Sequence, residues 1–197
     1  MGEITDPVRT LLLVWDMQND QAGGSFNRDE LIRSAPPLIE AARGAGVKTA
    51  YTRQTPYLWR DESPAWIRRA MKEQKVDHPS KLKPRRLRGS FGWQIMEPFG
   101  PGNSDLVLDK RRGTMFIGTE FETLLGNLRA TTIVIIGCTT DGGVEATVRD
   151  GFHRGFMIVA RDCVGTYAEE GHKEALRRMA RFADIVESSE LIGIWRR

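Results

Sequence analysis

Short apolar runs, too brief to be helices, alternate along this chain with amphipathic stretches that are long enough. Leu11 to Trp15, Leu106 to Leu108 and Ile133 to Ile136 are bounded by turn residues, which makes them buried strands. Val47 to Thr52 and Phe156 to Ala160 read as two more. Helical patterns fall at Pro36 to Gly44, Pro64 to Glu73, Glu120 to Leu128, Val144 to His153 and His172 to Phe182. Glycine-containing ends at Arg43-Gly44-Ala45-Gly46 and Arg154-Gly155 stop two helices before the next strand. Such alternation predicts a three-layer α-β-α fold of the α/β class, with a central, mainly parallel sheet covered on both faces. The 197 residues are read as a single domain spanning 1–197, because one core keeps growing up to roughly 250 residues.

The charge balance excludes several classes of function. Lys and Arg number 29 against 26 Asp and Glu, a net of +3, and the basic residues are scattered. A nucleic-acid partner would call for a concentrated basic face, so none is expected. The two cysteines, Cys138 and Cys163, form neither a disulfide framework nor a zinc cluster. The N-terminus lacks a signal-peptide pattern, and no apolar run reaches the ~18 residues of a membrane span. A cytoplasmic location with no membrane partner is the expectation.

Parallel sheets bind ligands at the carboxyl ends of their strands, which singles out Asp16 to Asp20, Arg53 to Tyr57, Asp109 to Arg112, Gly137 to Gly143 and Asp162 to Tyr167. Asp16 places a carboxylate directly after a run built to be buried, and Lys110 stands in an equivalent place. The segment Ile133-Val-Ile-Ile-Gly-Cys-Thr-Thr-Asp-Gly-Gly-Val-Glu-Ala reads as a strand, a tight turn from Gly137 to Gly143, and a helix with Asp141 as its N-cap. Amides at the start of such a helix can stabilise an anion or oxyanion. Asp77 to Pro101, rich in Pro, Arg and Gly, reads as a long surface excursion. His78, His153 and His172 are far apart in sequence and read as surface or packing residues, and Cys138 and Cys163 as buried structural thiols.

The ordered series Val14-Trp15-Asp16-Met17-Gln18-Asn19-Asp20, Asp109-Lys110-Arg111-Arg112-Gly113-Thr114-Met115-Phe116 and Gly137-Cys138-Thr139-Thr140-Asp141-Gly142-Gly143-Val144-Glu145-Ala146-Thr147 resembles the isochorismatase-like cysteine hydrolases. The resemblance covers about Leu11 to Ile185. It aligns Asp16 and Lys110 with the family's Asp and Lys, and puts Gly143 where the nucleophilic cysteine usually stands. It further implies a parallel sheet between helices, a homodimer or homotetramer, and a cis peptide at Cys138-Thr139, with Cys138, Thr139 and Gly142 in the turn that would hold an oxyanion. Arg88-Gly89-Ser90-Phe91-Gly92-Trp93 is similar to an element of the amidase branches, the ureidoacrylate and N-carbamoyl amide hydrolases. Gln21, Arg53, Arg88, Trp93, Arg112 and Phe116 are the candidates for holding a small-molecule substrate, the arginines because a guanidinium matches a carboxylate. Gly113 and Met115 depart from the usual lysine motif. Thr52-Arg53-Gln54-Thr55 lacks the Asp/His metal set of the nicotinamidase branch, so neither metal nor cofactor is expected.

With a cysteine at position 143, the family's route is thiolate attack on a carbonyl, Asp16 carrying the proton, followed by hydrolysis of the thioester. Glycine cannot take that route. Either glycine is native, as in the true isochorismatases, where Asp16 would protonate a vinyl ether, or it replaces a native cysteine and disables an amidase. The setting favours amidase ancestry, a hydrolase of small amide, ureido or carbamoyl compounds inactive in that role without the thiol. A pseudoenzyme that only binds a small molecule is a third reading.

Overall fold

The structure is a computed structural model and describes residues 1–196. Six parallel strands form one sheet in the order β3-β2-β1-β4-β5-β6: β1 (Thr10–Trp15), β2 (Lys48–Gln54), β3 (Leu106–Lys110), β4 (Thr132–Cys138), β5 (Phe156–Gly165) and β6 (Asp184–Val186). The helices, in chain order, are α1 (Asn19–Ala22), α2 (Arg28–Gly44), α3 (Pro64–Gln74), α4 (Phe121–Leu128), α5 (Glu145–Gly151), α6 (Glu169–Met179) and α7 (Ser188–Trp195). Among the described residues no helix is long and apolar enough to cross a membrane.

The period of two along a strand sends alternate side chains to opposite faces, and the core divides accordingly. Leu12 and Val14 pack with Leu31, Ala35, Leu38 and Ile39 of α2 and with Leu191 and Trp195 of α7. Leu11, Leu13 and Trp15 pack on the other face with Phe121 and Leu125 of α4, Val148 of α5 and Met179 of α6. A fully buried Leu or Phe contributes about 1.5–3 kcal/mol, so both layers are fixed chiefly by β1 and β4, whose side chains are all buried; β3, read from the sequence as buried, is an edge strand with Leu106 and Val107 exposed.

The sequence placed the start of α2 at Pro36, because proline breaks helix interiors. The helix instead begins at Arg28 and carries Pro36 and Pro37 inside it. Each proline leaves the carbonyl four residues earlier without its helical donor, and those carbonyls belong to half-buried Ile32 and exposed Arg33, where water can reach. The apolar stripe Leu31, Ala35, Leu38, Ala42 holds the helix to the sheet across the gap. Several strands run further than their apolar runs. Asp109 and Lys110 lie inside β3, Gly137 and Cys138 inside β4, and Asp162 and Cys163 inside β5. The sequence also missed β6 and α7, which are only three and eight residues long.

The order in which strands are added reverses between β1, from which β2 and β3 extend the sheet one way, and β4, from which β5 and β6 extend it the other. That reversal is a switch point, where α/β sheets open a crevice at the strand carboxyl ends. Asp16 and the turn after β4 flank it.

Candidate functional site

Asp16 follows the last residue of β1 in a left-handed conformation, φ 42°, and its side chain is buried, with 2% exposure. The carboxylate is gripped from both sides. Oδ1 accepts from the Thr52 hydroxyl at 2.6 Å and Oδ2 from Lys110 Nζ at 2.6 Å. Lys110, the last residue of β3, has only 1% of its side chain exposed. Its ammonium also donates to Gln54 Oε1 at 2.7 Å and to the Arg112 carbonyl at 3.3 Å. Three protons therefore meet three acceptors. Burial pulls the Lys110 ammonium below its ordinary range, against the opposing pull of Asp16.

Gln18 laces the strand ends together. Its Oε1 accepts from the Gln54 backbone amide at 2.8 Å, and its Nε2 donates to the Trp93 carbonyl at 2.7 Å. Gln18 and Gln54 lie in the strand-end segments that the sequence singles out but are not among its named site residues, and Thr52 falls just outside them. Gln18 sits inside the Asp-Met-Gln motif, and Thr52 and Gln54 share the alternation that points β2 residues to the Asp16 side, so a signal was present for all three.

Beyond β4 the Cys138-Thr139 peptide is cis, and Thr140–Val144 form one wide turn before α5. The Thr139 carbonyl accepts from both Gly142 N and Val144 N, each at 3.2 Å, which commits those amides within the turn. Asp141 does not cap α5 as the sequence suggested: its Oδ1 accepts from the Thr166 hydroxyl at 2.5 Å, tying the turn to the end of β5. The buried Cys138 thiol is pushed up to about 12 by desolvation and by the charge of Asp16, which denies it the thiolate a nucleophile needs. Gly143 lies against Trp15. A β-carbon there would stand 2.6 Å from Trp15 Cε2 and closer still to Cζ2 and Nε1.

The remaining candidates divide. Arg53 pairs with Asp109 at 2.8 Å and lies 3.9 Å from the Trp93 ring centroid. Arg88 reaches the same Asp109 at 2.5 Å. Trp93 donates from Nε1 to the Thr55 hydroxyl at 2.8 Å. These residues brace the excursion against β2 and β3, with the two guanidinium groups sharing the one carboxylate of Asp109. Arg112 pairs with Glu62 at 2.9 Å while its carbonyl serves Lys110. Gln21 is buried on α1, its Oε1 without a partner among the described residues. Phe116 packs edge-on against Phe121 and under Arg154, contacts that belong to the core and not to the Asp16–Lys110 pair.

A cavity of about 210 Å³ opens from Gln54, between α3 and residues 82–86. Tyr57, Trp59, Trp66 and Ile67 make its apolar wall, and Arg86 supplies a cation. Arg86 is itself anchored to Asp20 at 2.6 Å. Among the described residues no group of His, Cys, Asp and Glu is arranged to hold a metal ion.

With this geometry in hand, the comparisons are consistent. Residues 10–190 match the Isochorismatase domain. The chain is 31% identical over 186 residues to the uncharacterized isochorismatase family protein YecD of Escherichia coli O157:H7, covering 90% of this chain and 93% of that one. It is 27% identical over 210 residues to the ureidoacrylate amidohydrolase RutB of Methylobacterium radiotolerans, covering 96% and 81%. A solved isochorismatase family protein from Desulfovibrio vulgaris shares the fold, with a TM-score of 0.80 at 18% identity over 96% of this chain and 99% of that one. A six-stranded parallel sheet between helices, an Asp and a Lys joined at its carboxyl edge, and a domain match over nearly the whole chain lead to one assignment: the chain belongs to the isochorismatase family of hydrolases.

Proposed function

We propose that this chain, which the sequence predicts to be inactive as a thiol-dependent amidase, instead hydrolyses a C–N bond of a small amide, ureido or carbamoyl compound with water as the nucleophile and Asp16 as the group that takes its proton. The observation that carries this reading is the hydrogen bonding of the buried pair. Lys110 spends its three protons on Asp16, Gln54 and the Arg112 carbonyl, so it fixes charge and position and has no proton to give. Asp16 accepts one bond on each oxygen and keeps a lone pair on each for a water. Glycine at 143 offers no side chain for an acyl-enzyme, and the Cys138 thiol is held protonated by burial.

In this reaction a water proton passes to Asp16 as the water oxygen adds to the substrate carbonyl carbon. The tetrahedral intermediate then collapses, the C–N bond breaks, and the amine departs with the proton Asp16 held. The rest of the substrate lies in the cavity that opens from Gln54, a planar or apolar group among Tyr57, Trp59 and Trp66 and an anionic group toward Arg86. The amidohydrolase named for ureidoacrylate among the relatives supports the ureido class.

A vinyl ether substrate is the second reading, favoured by the absence of a nucleophilic side chain at 143. It asks Asp16 to start the reaction as a proton donor, whereas in the first reading Asp16, ion-paired with Lys110, starts as the acceptor. The test is amine or ammonia release from a panel of ureido, carbamoyl and simple amide compounds, for the parent and for Asp16→Asn. Release that Asp16→Asn abolishes is the expected result. No release from any of them sinks the reading; turnover of a vinyl ether instead would favour the second, and binding without turnover would make the chain a small-molecule binding protein.

A further inference from the structure

Trp15 is the one large aromatic residue in the strand that delivers Asp16, and its surroundings give it more than a packing role. It is 1% exposed, so its rigid bicyclic ring is held by the core on the α4–α5–α6 face. One edge of the indole fills the space beside Gly143: a β-carbon at 143 would lie 2.6 Å from Cε2, with two further ring atoms nearer. Real β-carbons do not approach so closely, and the obstacle is a buried ring, not the free end of a flexible chain. The ring also meets the cation of the site, with Lys110 Nζ 4.1 Å from its centroid, within range of a cation–π interaction that strengthens on desolvation.

We infer that Trp15 and Gly143 are one reciprocal unit, in which the indole occupies the space that the β-carbon of a side chain at 143 would enter and holds the Lys110–Asp16 pair in position. Glycine is then the residue around which this site is built, and a thiol placed there enters a space already taken. Trp15 is a positioning residue: it acts through Lys110, whose charge is shared between the Asp16 carboxylate and the π face of the ring. The inference rests on the water-based reading above and gives its structural cause.

The experiment compares Gly143→Cys, Trp15→Val and the double variant Trp15→Val/Gly143→Cys by thermal melting and by alkylation with iodoacetamide in the folded state. Gly143→Cys alone is expected to lower Tm by roughly 5 °C or more, as overpacked cores do. Because Trp15→Val leaves a cavity of its own, the double variant is expected to melt less far below Trp15→Val than Gly143→Cys melts below the parent, and its introduced thiol to alkylate at least tenfold faster than the buried Cys138 and Cys163. A Gly143→Cys loss as large in the Trp15→Val background as in the parent overturns the inference; if Gly143→Cys alone fails to fold, a double variant that folds as Trp15→Val does supports it, and one that also fails to fold overturns it. Trp15→Val should also move the pH profile of Asp16-dependent turnover, with Trp15→Phe restoring it; an unmoved profile removes the positioning role. The melting comparison needs no substrate, so a parent that hydrolyses nothing would sink the proposed reaction and leave this coupling to stand or fall by itself.

Discussion

Thr52 closes a two-bond ring on Asp16: its hydroxyl donates to Asp16 Oδ1 at 2.6 Å and accepts from the Asp16 backbone amide at 2.9 Å. One hydroxyl thus fixes both the rotamer of the carboxylate and the left-handed backbone beneath it. Thr52→Val keeps the shape and removes both bonds. Leaving the buried Asp16 amide unpaired costs about 1–3 kcal/mol, and loosening the aim of the carboxylate should lower turnover by about tenfold or more. Thr52→Ser should recover most of both. Melting curves and steady-state kinetics on the two variants decide it, and parent-like behaviour in Thr52→Val would show that the ring is dispensable.

Lys110 and Asp16 are expected to be worth far more as a pair than either is alone. Removing one member of a buried ion pair typically costs about 3–5 kcal/mol, because the charge left behind has no compensation. Lys110→Met should therefore melt well below the parent, and Lys110→Met/Asp16→Asn should melt above Lys110→Met. A double-mutant cycle with no coupling energy would contradict the geometry.

His172 gives the turn at 143 a dependence on acidity. It is buried on α6, with Nδ1 3.0 Å from the Thr140 hydroxyl and its ring edge-on to Phe26 at 5.3 Å. Desolvation by burial pulls it below its ordinary 6.5, outweighing the opposing charges of Glu30, Asp141 and Glu169 and aided by that of Lys173. The unfolded chain accepts the proton first as pH falls beneath 6.5, so the stability this site contributes is present above 6.5 and is lost as pH drops through the lower, folded value. Stability measured from pH 7 downward should fall in that window, and His172→Gln should flatten the fall. An identical acid profile in the variant would place the effect elsewhere.

The sheet was readable because β1 and β4 are wholly buried and largely apolar, and Asp16 and Lys110 stood out as charges at the ends of the apolar runs of β1 and β3. Helix α2 was cut short because proline was weighed by its local cost, whereas Leu31 and Ala35 contribute burial that only the sheet reveals. Phe116 was grouped with the site by its place in a motif, yet its ring turns toward Phe121 and Arg154. Arg53, Arg88 and Arg112 looked like ligand cations, and which carboxylates would meet them depended on the path of the excursion. The relation between Trp15 and Gly143 joins the end of β1 to the turn after β4, so in the sequence the two looked like a core aromatic and a missing thiol.

Gly137, with φ 119°, faces Trp15 across the strand pair. A β-carbon there would stand 2.7 Å from the Trp15 carbonyl carbon and closer still to its oxygen, so the two central backbones meet like a seam with no room to slide. Asp16 and the turn bearing Gly143 continue directly from the two sides of that seam and must move together. Any adjustment of the crevice to an incoming molecule therefore falls to the far bank, α3 and residues 82–86, while Gln54, bonded to Lys110 and Gln18, stays with the chemical half.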